Sequence, residues 1–135
     1  MKFKTLDNRE IRLEIRPSKY PRRARSDCKS EGQYHLGCRI AELYPGVVIL
    51  EEFTLPGSRL QLDFFLPTQD LAFEFQGEQH DKYNAFFHGN KTGFERSKRR
   101  DQDKARWCKM NKIALIYVYT LLASKEELKG LIHHE

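Results

Sequence analysis

The sequence predicts a mixed α/β fold of the α+β kind, with a mostly antiparallel sheet flanked by helices. Three observations lead there. Val47–Phe53, Leu60–Leu66 and Leu71–Gln76 are short apolar runs joined by the turn-like links LPGSR and PTQD, which favour antiparallel pairing. A long polar helix is expected from about Phe94 to Asn111, and the continuous apolar run Ile113–Tyr119 after it reads as a strand buried on both faces. The 135 residues fit one compact domain, 1–135, able to bury its own core.

The elements follow in order. Residues 2–16 alternate weakly, and Ile11–Ile15 reads as a short strand. Residues 17–29 hold two prolines and a cluster of Lys and Arg, a turn-rich basic segment that reads either as an arm ordering on nucleic acid or as a solvated loop. A helix begins at Ser30, where Ser30 and Gln33 form an S-x-x-Q capping box, and Tyr44-Pro45-Gly46 ends it. The three strands come next, then a Gly- and Asn-containing loop over 81–93, the polar helix and the apolar strand. Ser124 with Glu127 caps a last short helix. There are no repeats.

Charge narrows the function. Lys and Arg exceed Asp and Glu by 24 to 19, a formal net charge of +5, which favours a polyanionic partner. Neither basic stretch is flanked by the apolar face of a membrane-surface helix, so nucleic acid is the better reading. No run has the length of a membrane span, and MKFKTLDNRE carries no apolar signal region. Three cysteines without paired spacing argue against a disulfide framework and fit a reducing cytosol, so a cytoplasmic location is expected.

The chemistry sits on the second and third strands of the meander. Side chains alternate faces along a strand. Leu60, Leu62, Phe64 and Leu66 should share one face and Gln61, Asp63 and Phe65 the other. On the next strand Leu71, Phe73 and Phe75 oppose Ala72, Glu74 and Gln76. Asp63, Glu74 and Gln76 therefore converge on one side. Acids inside apolar strands are costly to bury without a partner, and a divalent cation is the natural one. The plainer alternative is a half-exposed sheet whose polar side faces water.

Asp63, a short hairpin, then Glu74-Phe75-Gln76 resembles the core of the PD-(D/E)XK nuclease superfamily, whose fold is the restriction-endonuclease-like core. Two positions depart from that pattern: Leu62 stands in the place of its proline and Gln76 in the place of its lysine. EFQGEQH, followed by RRDQDK and an apolar strand, resembles more narrowly the very-short-patch-repair endonucleases and the homing endonucleases with an E, D, x, H, D pattern. His80 and Asp101 occupy the matching places for the histidine and the helix acid. For the acid of the early helix, Gln33 or Glu31 is nearest, and both stay open.

The resemblance implies a Mg²⁺- or Mn²⁺-dependent DNA endonuclease, selective for branched, nicked or mismatched DNA. Asp63, Glu74 and the backbone carbonyl of Phe75 would hold the metal. Gln76 would orient the attacking water, and His80 would act as general acid or base, coupled to Asp101. Arg22, Arg23, Arg25, Lys98, Arg99, Arg100 and Lys104 are the expected phosphate contacts. A chain this small leaves recognition to DNA structure, a second copy or a protein partner. The competing reading is a non-catalytic nucleic-acid-binding module on the same fold.

Overall fold

The computed structural model describes residues 1–77 and 91–133, less the side chains of Lys91, Thr92 and Phe94. Two short strands, β1 (Lys2–Lys4) and β2 (Glu10–Arg12), form an antiparallel hairpin. Helix α1 (Glu31–Leu43) follows, then the meander β3 (Leu50–Thr54), β4 (Gln61–Leu66) and β5 (Leu71–Phe75). Helix α2 (Lys91–Met110), strand β6 (Ala114–Val118) and helix α3 (Lys125–His133) complete the described chain. The fold is mixed α/β, with three helices among the described residues and a four-stranded, mostly antiparallel sheet ordered β3-β4-β5-β6. β5 and β6 run parallel, because α2 carries the chain back across the sheet between them.

Two apolar clusters hold the layers. One joins Phe64, Leu66, Leu71, Phe73, Ile116 and Val118 to Leu36 and Ile40 of α1 and Leu128 of α3. The other gathers Leu50, Phe53, Phe65 and Ala72 around Trp107 and Cys108 of α2, and Phe3 of the hairpin closes it. Trp107 is fully buried and stacks on Phe3 at 5.6 Å between ring centroids. Helix α1 sits close because glycine lets it. A Cβ on Gly32 would fall inside the ring of Phe75, and one on Gly37 would come within 2.9 Å of Phe64. This close seat brings the first turn of α1 to the end of β5.

Several expectations are corrected. β1 carries no alternating run long enough to signal a strand, and its hairpin partner is Glu10–Arg12, not Ile11–Ile15. The S-x-x-Q box is half used. Gln33 donates its amide N–H to the Ser30 hydroxyl at 3.1 Å, but its side chain turns to Glu51 and Glu52. β6 lies at the end of the sheet order, with Ala114 exposed and Leu115 and Tyr117 half-buried, so it is not buried on both faces. Leu62 clusters with Phe53, Phe65 and Trp107, across the sheet from Phe64 and Leu66. The strict alternation expected for the second meander strand therefore fails at Leu62, beside the one residue of β3 with a left-handed backbone, Glu52 (φ 55°). The stripe on α2 also shifts: Lys98 is exposed, while Ser97, Asp101, Lys104 and Cys108 turn inward.

Candidate active site

The paired residues Phe64–Phe73 end the β4–β5 ladder at its open end. One step further, Asp63 and Glu74 stand opposite each other, and the pattern of bonding changes. The Asp63 amide donates to a Glu74 carboxylate oxygen at 2.6 Å, and the Phe75 amide donates to Asp63 Oδ2 at 2.8 Å. Each acid thus holds the neighbouring strand's backbone. On the other side, Glu52 falls between the paired residues Glu51–Phe64 and Phe53–Leu62, which sets it level with Asp63. Glu52, Asp63 and Glu74 form a row of buried acids across three adjacent strands. Like charges opposite one another on a sheet repel, so the row needs compensation.

Two lysines from outside the sheet supply it. Lys29, in the segment before α1, places its Nζ 3.2 Å from Glu52 Oε1 and 3.2 Å from Asp63 Oδ1. Lys104 of α2 places its Nζ 2.8 Å from Glu74 Oε1. Burial alone would lower the Lys29 pKa, but Asp63 and Glu52 outweigh it and hold the ammonium above its ordinary value. Glu74 is pushed up to about 7, first by burial and then by the neighbouring Asp63 charge, against the pull of Lys104.

A second layer steadies Glu51 and Glu52. The Gln33 amide nitrogen donates to Glu51 Oε2 at 2.8 Å and to Glu52 Oε1 at 3.0 Å. The Arg23 backbone N–H donates to Glu51 Oε1 at 2.6 Å. Of the two open candidates on α1, Gln33 reaches the acid row. Glu31 is exposed and pairs with Arg25 at 3.0 Å.

At the far end of the row, Gln76 is buried and hydrogen-bonds to Asp101. Asp101 is raised above the usual carboxylate range by burial, with Lys104, Gln76 and Arg100 opposing. Asp101 thus faces the sheet from α2. His80 lies outside the described residues, and so does its proposed coupling to Asp101.

The expected phosphate contacts divide. Arg22 donates to Cys38 Sγ at 3.4 Å, and Arg25 pairs with Glu31 and lies 5.5 Å from the Tyr34 ring centroid, so both lie against α1. Lys98, Arg99 and Arg100 are exposed on α2. Arg100 and Lys104, together with Lys29, Arg59, Gln61 and Ser97, line a cleft of about 260 Å³ that also touches Asp101.

Lys29, Glu52 and Arg59 escaped sequence reasoning. Lys29 and Arg59 are single cations in polar segments and carry no local signal. Glu52 had one: a strand that buries both faces around two consecutive acids, Glu51 and Glu52, must satisfy one of them on each side.

Among the described residues, no group of three or more His, Cys, Asp or Glu side chains stands arranged to hold a metal ion. Mg²⁺ asks for less, since it keeps several waters and takes one or two protein carboxylates. Asp63 and Glu74 offer hard oxygen donors, and Glu74 is a buried acid whose charged form a cation would favour. The donor set fits Mg²⁺ or Mn²⁺.

No protein-family model matches the chain, and no solved structure matches it. The chain is similar to uncharacterized protein 033L of Invertebrate iridescent virus 3, at 41% identity over 71 residues, covering 52% of this chain and 37% of that protein. It is also similar to uncharacterized protein 307L of Invertebrate iridescent virus 6, at 40% identity over 63 residues, covering 46% of this chain and 32% of that protein. The chain matches about a third of the length of these relatives.

Proposed function

We propose that the chain is a metal-dependent DNA endonuclease on a PD-(D/E)XK core. The observation that carries this reading is the reciprocal hold of Asp63 and Glu74 on each other's strands, where the ladder ends and a cationic cleft begins. The sheet supports it. An antiparallel meander, a crossover helix and a parallel last strand, with a helix ahead of the meander, is the order the resemblance implies.

In this reading Asp63, Glu74 and the carbonyl of Phe75 hold Mg²⁺ or Mn²⁺. The metal, when bound, supplies Lewis-acid activation of water and neutralises charge on the scissile phosphate. The chain's own residues do the rest. Lys29 and Lys104 keep positive charge at the carboxylates, a part that Gln76 cannot play with a neutral amide. Gln76, held by Asp101, orients a water by hydrogen bonding. His80 moves the proton as general acid or base, a contribution of about 10²–10⁴ in rate.

The test is direct. Plasmid and branched DNA are incubated with the protein in Mg²⁺, Mn²⁺ or EDTA. Cleavage that needs metal and disappears in Asp63→Asn supports the enzyme. Binding without cleavage in any metal overturns it and favours the non-catalytic nucleic-acid module, for which the amide at Gln76 is the specific argument.

A further inference from the structure

The cleft beside the acid row contains two kinds of cation. Lys29 and Lys104 are committed: their ammoniums lie within 3.2 Å of Glu52, Asp63 or Glu74. Arg59 and Arg100 are not. Neither forms an ion pair with a carboxylate among the described residues, and Arg100 lends Asp101 only a Coulombic attraction. They come from different parts of the fold, Arg59 from the β3–β4 turn and Arg100 from α2. Two exposed guanidinium groups on opposite elements, lining one cavity, repel each other unless an anion lies between them.

The remaining lining suits an anion with hydrogen-bond acceptors. The Ser97 hydroxyl and the Gln61 amide are donors. Asp101, the acid in the wall, is held by Gln76. At roughly 30 Å³ per water, a cavity of about 260 Å³ holds some eight to nine water volumes, room for a hydrated phosphodiester group. Guanidinium forks match phosphate oxygens in pairs, and a lysine would not reproduce that geometry.

We propose that this cleft seats a backbone phosphate next to the scissile one, clamped between Arg59 and Arg100. The assignment rests on the nuclease reading for what the acid row does, but not for its own test. It also separates the basic residues by role. Arg59 and Arg100 fix the register of the strand over Asp63 and Glu74, while Arg22 and Arg25 belong to the packing of α1.

Binding, not cleavage, tests it. Affinity for a fluorescent 20-base-pair duplex and for the matching single strand is measured in EDTA across a salt series. Arg59→Ala with Arg100→Ala should weaken binding about tenfold or more at moderate salt and reduce the salt slope by about two, one per lost phosphate contact. Arg59→Glu alone should weaken binding more than Arg59→Ala. Lys125→Ala with Lys129→Ala, on α3 and away from the cleft, removes the same charge and should leave the slope within about half a unit of the parent. Both cleft residues are exposed, so their loss should not unfold the chain, and a circular dichroism melt checks this.

An unchanged slope in the cleft variant, or an equal fall in the α3 control, overturns the clamp. Cleft-dependent binding with no cleavage in Mg²⁺ or Mn²⁺ leaves the clamp standing and removes the enzyme. Metal-dependent cleavage with a slope indifferent to Arg59 and Arg100 does the reverse.

Discussion

The ammonium of Lys104 lies 2.8 Å from the carboxylate of Glu74, and the two side chains are 16% and 4% exposed. A helix residue thus neutralises a strand residue in a nearly dry place. Removing one member of such a pair is costlier than never having had it, because the other charge is left buried. Lys104→Met should destabilise the metal-free protein by about 2–3 kcal/mol at pH 8, somewhat below the roughly 3–5 kcal/mol of fully buried pairs. At pH 5.5, where Glu74 takes up a proton, the loss should shrink. Urea unfolding at both pH values measures it, and an equal loss at both would contradict the assigned charge on Glu74.

The raised pKa of Glu74 makes stability depend on pH in a definite direction. Its ordinary value is 4.5 and its folded value is about 7. Between these the folded chain binds more protons than the unfolded one, so stability falls as pH rises. The contribution is fully present below 4.5 and is lost as pH passes through about 7. Asp101, also raised, acts in the same direction. Glu74→Gln should therefore flatten the melting-temperature profile of metal-free protein between pH 5 and 8. A profile as steep as the parent's would show that another group sets it.

Cleavage should separate the acids from the amide. Asp63→Asn and Glu74→Gln should each lower the rate at least about a hundredfold in Mg²⁺, since a metal centre supplies several kcal/mol of charge stabilisation. DNA affinity in EDTA should stay at or above the parent's, because a negative charge has been removed. Gln76→Ala should cost only several-fold, since an amide orients without carrying charge. Gln76→Lys should keep or raise activity. A well-folded Gln76→Ala variant as inactive as Asp63→Asn would mean that Gln76 does more than orient.

Glu52 sits in a strand with a left-handed backbone, φ 55°. For a residue with a side chain this costs on the order of 1–2 kcal/mol, offset here by its bonds to Lys29 and Gln33. Glu52→Ala and Glu52→Gly both lose those bonds and differ only in how well they accept that backbone. The glycine variant should be the more stable by about 1 kcal/mol. Equal stabilities, or alanine ahead, would show that the backbone relaxes once the carboxylate is gone.

The places where sequence reasoning succeeds and fails follow from the range of the forces involved. The cross-strand placement of Asp63 and Glu74 was legible because alternation is local and a short hairpin fixes register. The helix start at Ser30 was legible for the same reason. Lys29 was not, because its position depends on glycine contacts that seat α1 against Phe75 and Phe64, some forty residues away along the chain. Trp107 lay hidden in a helix so charged that its polarity masked the core-facing turn. The left-handed Glu52 could not be foreseen from a residue type that rarely adopts such a backbone. It also spoiled the simple alternation expected for Leu62.

The single tryptophan has a practical consequence. Trp107 is fully buried, stacked on Phe3 of the amino-terminal hairpin and edge-on to Phe65 of the sheet. It lies one helical turn from Lys104, and its indole N–H has no acceptor among the described residues. Its fluorescence therefore provides a native optical probe at the junction of hairpin, sheet and α2. Blue emission reports a docked helix, and a shift on adding a divalent ion or an oligonucleotide would register a rearrangement at Lys104 without any attached dye.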